Sequence, residues 1–150
     1  MDTIDRKLLA MMQRDARTSI RNLADGAGAS TASVQRRLKR LREDGTITSE
    51  VAVVEPKRAG FGLTALITVE LERDGPDRVD AFKRRAIAED QVQQCYCVAG
   101  DTDFVVIAIL KDMEDYEAFT ARFFEDPNVR HYRSSIVVSR VKTGSGVPLG

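Results

Sequence analysis

The chain contains little cysteine, little histidine and no long apolar run. Its 150 residues include two cysteines and one histidine, with no CxxC or HExxH spacing, which argues against a zinc site. We expect no metal, no cofactor and no catalytic residues. Cys95 and Cys97 lie two apart in a predicted strand and share one face, a poor geometry for a disulfide, so reduced thiols are expected. No run of about 18 apolar residues could form a membrane span, and the N-terminus lacks the pattern of a signal peptide. We therefore expect a cytoplasmic protein with no membrane partner.

The chain also lacks net charge, since 23 Lys and Arg balance 23 Asp and Glu. The balance is uneven along the sequence: residues 1–54 carry a net charge of +3 and residues 55–150 one of −3. A basic first third can attract phosphate groups, because screening limits electrostatic effects to about 10 Å at moderate salt. The two parts are therefore expected to have different partners.

The segment from Ser30 to Arg42 predicts an amphipathic helix with a basic outer face. Val34, Leu38 and Leu41 fall on one apolar stripe, and Arg36 points away from it. Ser30 is the predicted N-cap. Small residues fill the first turn, so the backbone could come close to the edges of DNA bases. The alternative is an ordinary surface helix with solvated Lys and Arg.

In a helix that binds DNA, the side chains of this segment are expected to have different roles. The guanidinium of Arg36 can bond O6 and N7 of guanine together, and Gln35 can reach adenine from the helix flank. Cations beside them are expected to bind phosphates, which gives affinity without sequence choice. The candidate DNA-binding residues are Ser30, Thr31, Ala32, Ser33, Gln35, Arg36, Arg37, Lys39 and Arg40.

Two further helices precede the basic one. Apolar periodicity predicts the first over Thr3–Arg14 and the second from about Ser19 to Ala27, and the Gly-containing turn after it is typical of a helix-turn-helix. Gly45 ends the basic helix. Residues 46–48 and 51–54 then predict a short β-hairpin, so residues 1–54 are expected to form a winged helix-turn-helix domain.

A linker is predicted over residues 55–62, where one proline and two glycines interrupt regular structure. Strands are then expected over 63–71, 92–99, 104–110 and 129–141, with helices over 76–88 and 113–124. This βαββαβ order predicts an α+β fold, with a ferredoxin-like sandwich over residues 63–150. One face of the sheet would remain open and apolar, which indicates that it binds a second copy of the chain. Two copies would carry two basic helices, which could contact two DNA half-sites.

Five segments together carry a resemblance to a known family. They are Ile4-Asp5-Arg6-Lys7-Leu8-Leu9, residues 15–24, Ser30 through Leu41 with Gly45-Thr46-Ile47, residues 98–104, and residues 137–143 with Pro148-Leu149. Each is weak alone, but their order and spacing along nearly the whole chain are specific. On these segments the chain resembles the leucine-responsive and asparagine-responsive (Lrp/AsnC) family of transcription regulators.

The resemblance implies a protein that binds double-stranded DNA through its first domain. It also implies homodimers through the second domain, commonly joined into an octamer of four dimers. The effector is typically an amino acid, bound between dimers by a Gly-Asp-x-Asp turn and a facing last strand. The positions carried over are Ala99, Gly100, Asp101, Thr102 and Asp103 of the turn, and Ser134, Ser135 and Ile136 of the strand.

Such a pocket is chemically reasonable, because an acidic turn opposite hydroxyl groups can hold both the ammonium and the carboxylate of an amino acid. The alternative is structural: Gly100 permits a tight hairpin, and Asp101 and Asp103 bond its backbone. Both can hold at once.

Two other functions stay open at this point. Sirohaem decarboxylases have a similar two-domain architecture. Their reaction needs basic and general-acid groups, often histidines, and this chain has only His131. A sensor or architectural protein with little sequence choice on DNA is the other reading. The sequence also departs from the family pattern at Ala29, at Ser49-Glu50 and at Tyr96.

Overall fold

The computed structural model describes residues 1–72, 77–144 and 146–149. The chain divides into two compact units. The first contains residues 1–53 together with the C-terminal tail, residues 142–144 and 146–149, and the second contains residues 54–141. Within the described ranges, no helix is both long and apolar enough to cross a bilayer.

Three helices build the first unit: α1 (Thr3–Arg14), α2 (Ile20–Ala27) and α3 (Thr31–Glu43). All three agree with the predicted helices to within a residue or so. Each begins at a capping side chain that accepts a hydrogen bond from a first-turn amide: Asp2, Ser19 and Ser30 respectively. The Ser30 cap is the predicted one, so local sequence signals position the start of α3.

The turn between α2 and α3 depends on glycine. Gly28 ends α2 with φ +68°, a left-handed conformation that favours glycine. Gly26 serves a different purpose, because a Cβ at this position would lie 2.6 Å from Cε of Met11. The missing side chain lets α1 and α2 approach closely, which sets the scaffold on which α3 packs.

The core of the first unit lies between the three helices. Leu8, Leu23, Val34 and Leu38 are almost fully buried in it, and Leu149 of the tail packs against it. Residues 63–150 were expected to form one domain. The structure instead groups the described tail residues with the first unit, because Leu149 finds an apolar surface there.

The tail is also held by hydrogen bonds. The Gln13 side chain donates from Nε2 to the Val147 carbonyl at 3.1 Å and accepts from the Val147 amide at 2.6 Å. One amide side chain on α1 therefore satisfies both backbone groups of a tail residue, in the manner of a neighbouring strand.

The predicted β-hairpin after α3 is wrong, since residues 46–54 form no strand. The Ile47 amide bonds the Leu41 carbonyl at 2.8 Å, and the Thr46 amide bonds the Asp44 carboxylate. These bonds hold the segment against the end of α3. Val51 and Val53 remain exposed, and two short strands without a further partner are only marginally stable.

The second unit begins with a short 3₁₀ helix over Pro56–Ala59 within the predicted linker. It continues with β1 (Leu63–Leu71), α4 (Asp77–Ala88), β2 (Val92–Cys97), β3 (Phe104–Leu110), α5 (Met113–Phe124) and β4 (Val129–Ile136). Pro76, where α4 was predicted to begin, lies outside the described residues. The order βαββαβ and the antiparallel sheet β2-β3-β1-β4 confirm the ferredoxin-like fold.

The two faces of the sheet differ. Ala65, Ile67 and Val69 of β1 are fully buried and pack in one core with Phe82 of α4 and Phe119 of α5. Their neighbours Leu66 and Thr68 point to the opposite, open face, because side chains alternate along a strand. The helices therefore cover one face only.

Two strands are shorter than predicted. β4 ends at Ile136 rather than Val141, because β1 is the one strand that pairs with it among the described residues and the last bond joins the Val137 amide to the Thr64 carbonyl. Beyond that point Val138 and Val141 are exposed. β2 ends at Cys97 rather than Ala99, where the Val98 amide bonds the Asp103 carbonyl and closes the turn.

Candidate functional site

The outer face of α3 carries the predicted DNA-binding residues. Thr31, Ala32, Gln35 and Arg36 are exposed in the first two turns. Ser30 and Ser33 also have structural roles. The Ser30 hydroxyl accepts a hydrogen bond from the Ser33 amide at 3.2 Å, and the Ser33 hydroxyl accepts one from Nε of Arg37 at 3.3 Å. The small first turn is thus accessible.

A buried carboxylate on α1 holds two of the cations of α3. Asp5 has 1% of its surface exposed, and it accepts from Nη1 of Arg37 at 2.8 Å and from Nη2 of Arg40 at 2.7 Å. Asp2 accepts from Nη1 of Arg37 at 2.6 Å. The capping box of α1, made by Asp2 and Asp5, therefore also binds α3.

The charge of Asp5 is strongly favoured in the folded state. Burial by itself would raise the pKa of Asp5, but the Asp2 amide, Arg37 and Arg40 outweigh it and lower the pKa to about 2. The same contacts raise the pKa of Arg37, mainly through its hydrogen bonds to Asp5 and Asp2. Arg37 is therefore mostly engaged within the domain, and Arg40 is engaged at one nitrogen while half of its side chain remains exposed.

The remaining cations of α3 have different environments. Lys39 lies 3.7 Å from Glu43, and both side chains are well exposed, so this ion pair is weak. Nη2 of Arg42 donates a hydrogen bond to the Glu50 carboxylate at 2.8 Å, so these two charged side chains form an ion pair. Within the described residues, Arg36 is the one cation of α3 that makes no ion pair.

The predicted effector turn is fastened to the end of β1. The Asp103 amide donates to the Val69 carbonyl, and its carboxylate accepts from the Leu71 amide at 2.7 Å. The Thr102 hydroxyl donates to the same Val69 carbonyl at 2.7 Å. Asp103 thus has a structural role, although its carboxylate bonds β1 rather than the backbone of its own turn. Thr102, which the structural alternative did not include, has one as well, and Ala99, Gly100 and Asp101 are exposed.

An open cleft of about 450 Å³ lies beside this turn. Gly100, Asp101 and Asp103 form part of its lining, and charged residues of both signs complete it. These other charged residues were not among the predicted site residues. They come from three separate elements or their ends: Glu70 and Glu72, Arg78, and Arg130. No spacing in the sequence signals them, because only strand pairing brings β1 and β4 side by side there.

The predicted facing strand lies elsewhere in the sheet. Ser134, Ser135 and Ile136 pair with residues 65–67 of β1, whereas the turn binds residues 69–71, roughly 13 Å further along the strand. Ser135 lies on the open face, and the hydroxyl oxygen of Ser134 is buried without a hydrogen-bond partner among the described residues. One chain does not bring the two halves of the predicted pocket together.

His131 is exposed on the open face, and its Nε2 accepts a hydrogen bond from Nε of Arg133 at 3.3 Å. The two cysteines are free thiols, as expected.

Both units match known protein families. Residues 1–48 match the winged helix-turn-helix DNA-binding family, and residues 64–147 match the Lrp/AsnC ligand binding domain. An HTH-type transcriptional regulator of Sinorhizobium fredii is 41% identical over 99% of this chain and 89% of its own length. The transcriptional activator DecR of Escherichia coli is 29% identical over 99% of both chains.

A solved structure extends this similarity to the three-dimensional fold. It is a transcriptional regulator of Neisseria meningitidis in complex with L-Met, 27% identical, with a TM-score of 0.93 over 99% of this chain and 97% of that one. The names of these relatives are those of transcription regulators rather than enzymes. With a helix-turn-helix in its first unit and a ferredoxin-like ligand-binding domain in its second, the chain belongs to the Lrp/AsnC family and is a DNA-binding transcription regulator.

Proposed function

We propose that the protein acts in the cytoplasm as a homodimer that reads a palindromic DNA site through α3 and responds to an amino acid bound near the Gly100–Asp103 turn. One observation carries the DNA-reading part. Of the cations on α3, Arg36 makes no ion pair with the described residues, and it lies directly opposite the buried stripe. Its guanidinium is therefore available to a guanine base.

The neighbouring residues divide the remaining work. Ser30, Thr31, Ala32 and Ser33 let the backbone approach the groove, and Gln35 lies beside Arg36 to contact adenine. Lys39 and Arg40 bind phosphates. Arg37 contributes to phosphate binding less than its charge suggests, because Asp2 and Asp5 already hold it.

Selection of bound fragments from random DNA tests this proposal. We expect strong enrichment of one palindrome, with half-sites about one helical turn apart. Arg36→Ala should then cost about 1–3 kcal/mol on the selected site and relax one base position, whereas Lys39→Ala should weaken selected and random DNA alike. No enrichment would favour an architectural role, and equal losses for Arg36→Ala on both DNAs would reject base reading.

The open sheet face supports the homodimer. Leu66, Val105, Ile107 and Ile109 place apolar surface on the side that no helix covers. We expect a second copy of the same face to cover it, because the resulting dimer would also carry two α3 helices. Four such dimers would form the octamer. The molecular mass in solution, measured by light scattering, decides between monomer, dimer and octamer.

The charged cleft supports an amino-acid effector. Asp101 and Glu70 can receive an ammonium group, while Arg78 and Arg130 can receive a carboxylate. The L-Met complex of the Neisseria relative makes amino acids the first ligands to test. Ser134, Ser135 and Ile136 of one chain would have to reach the Ala99–Asp103 turn of another, since within one chain they lie apart.

A thermal-shift screen against the amino acids tests the effector. A ligand at about 100 times its dissociation constant should stabilise the protein by roughly 2.7 kcal/mol. A flat response to every amino acid would reject this part of the proposal and leave the DNA-reading part standing.

A further inference from the structure

The two cysteines of the chain line one groove on the edge of the second unit. This groove, of about 430 Å³, lies between α4 and β2, and β2 is an edge strand of the sheet. Cys95 pairs with Val106 and Cys97 with Phe104, and both partners belong to the buried face of β3. Since directly opposed residues share a face, both thiols point to the helix side and away from the open face of the sheet.

The two thiols differ in exposure. Cys97 is exposed, whereas Cys95 is half-buried against the core, and both are free. Burial raises the pKa of the Cys95 thiol, with a smaller contribution from Cys97. A neutral thiol is a poor nucleophile, so Cys95 is unsuited to rapid reaction with peroxide or with disulfides.

The spacing of the cysteines suits a bridging ion better than a direct bond. Residues two apart in a strand have Cα atoms about 6.7 Å apart, at the upper limit of the range for disulfides. A disulfide must bring the sulfurs to about 2.05 Å. With metal–sulfur bonds of about 2.3 Å, an ion lets the two sulfurs stay up to about 4.6 Å apart, which is closer to the spacing of same-face neighbours on a strand.

The ligand count restricts which ion fits. Among the described residues, no group of three or more His, Cys, Asp or Glu could hold a metal. A structural zinc site needs four ligands and iron–sulfur clusters need four cysteines. Soft thiolates with no further ligand favour a soft cation that accepts two sulfurs, and monovalent copper is such an ion.

We propose that Cys95 and Cys97 form a two-thiolate site for a soft monovalent cation of the Cu(I) type, in the groove between α4 and β2. Binding replaces the two thiol protons by one ion, with no change in oxidation state. Lys83 also lines the groove, and its Nζ lies 3.4 Å from a carboxylate oxygen of Asp80. The groove shares no lining residue with the charged cleft.

Anaerobic titration of the reduced full-length protein with Cu(I), against a competing chelator such as bicinchoninate, tests the proposal. We expect one ion per chain, with affinity reduced at least tenfold in Cys95→Ser and in Cys97→Ser. Met113→Leu is the matched control, since it removes another exposed sulfur on α5 and should leave binding unchanged.

Two results would overturn the site. One is wild-type affinity in either serine variant, which means that a single thiol suffices. The other is half an ion per chain, which means that exposed thiols of two chains share it. Cys97 is exposed, so Cys97→Ser should not disturb the core. If this variant keeps the wild-type circular dichroism and loses Cu(I) binding, the loss is due to the missing thiol and not to unfolding.

Discussion

Nη1 of Arg37 on α3 donates a 2.8 Å hydrogen bond to the buried carboxylate of Asp5 on α1. This contact joins the start of the first helix to the middle of the helix proposed to read DNA. It separates cations that orient α3 from cations that can contact DNA. Substitutions at Arg36 and Arg37, adjacent in the sequence, should therefore have different effects.

Arg37→Ala should destabilise the first unit by about 1–3 kcal/mol, because it removes a partner from a buried carboxylate. Arg36→Ala should leave the stability almost unchanged while it weakens binding to the selected DNA. Thermal unfolding and DNA titration of both variants check this. Arg37→Lys should restore little, since an ammonium lacks the planar fork that spans Asp2 and Asp5. Equal stability of the two alanine variants would contradict the separation between Arg37, which holds α3 in place, and Arg36, which is proposed to contact DNA.

Acid should weaken the first unit in a defined range of pH. The pKa of Asp5 is about 2 in the folded protein against 3.8 for the free side chain, so its contribution, on the order of 2 kcal/mol, is complete above about pH 4. As the pH falls from 4 to 2, the unfolded chain binds the proton first and this stability is lost. In Asp5→Asn, the unfolding midpoint should depend less on pH over this range. An unchanged slope would show that other carboxylates dominate.

The two aspartates of the effector turn should behave differently. Asp103→Asn should lower stability by about 1–3 kcal/mol, because the Leu71 amide loses a charged acceptor. Asp101→Asn should leave the unfolding temperature of the free protein unchanged and reduce the shift that an amino acid produces. Thermal shift with and without ligand measures both effects. A large stability loss in Asp101→Asn would assign that carboxylate a structural role instead.

Charge on the open sheet face should dissociate the proposed dimer. Leu66→Glu places a carboxylate in the middle of the apolar surface, where pairing with a second copy would bury it. Light scattering should show a monomer that keeps its circular dichroism. Ile87→Glu is the matched control, because Ile87 is highly exposed on α4, on the other side of the sheet. Dissociation by both variants would point to a different interface.

Removal of the tail should destabilise the first unit. Leu149→Ala loses part of an apolar contact worth roughly 1 kcal/mol, and a chain that ends at Gly144 also loses the bonds between Gln13 and Val147. Hydrogen exchange of α1 amides should become faster in both. Val138→Ala, at a fully exposed position, should have no effect. Unchanged exchange after truncation would contradict a stabilising tail.

Local sequence patterns predicted most of the fold. Stripes such as Val34, Leu38 and Leu41, with a capping serine before them, identify a helix without knowledge of the rest of the chain. Predictions failed where a distant partner decides the outcome. β4 stops because β1 offers no further pairing, and residues 51–54 form no strand because nothing extends them into a sheet.

The candidate site shows the same limit. Asp2 and Asp5 stand in the sequence as two acidic residues at the start of a helix, which is a local feature. Their contacts with Arg37 and Arg40 span 32 to 35 residues, and no periodicity reveals such a pair. The charged cleft was missed for the same reason, since Arg78 and Arg130 come together with Asp101 only in the folded chain.

The contact of Leu149 and Val147 with the first unit has a consequence for biosynthesis. Residues 146–149 leave the ribosome after the whole second unit has been made, so α1, α2 and α3 can pack early but lack this support until then. A product truncated during translation would carry the helices that recognise DNA without their last stabilising contact. Chains that end before residue 146 should therefore compete poorly with chains that carry residues 146–149 for the same DNA sites.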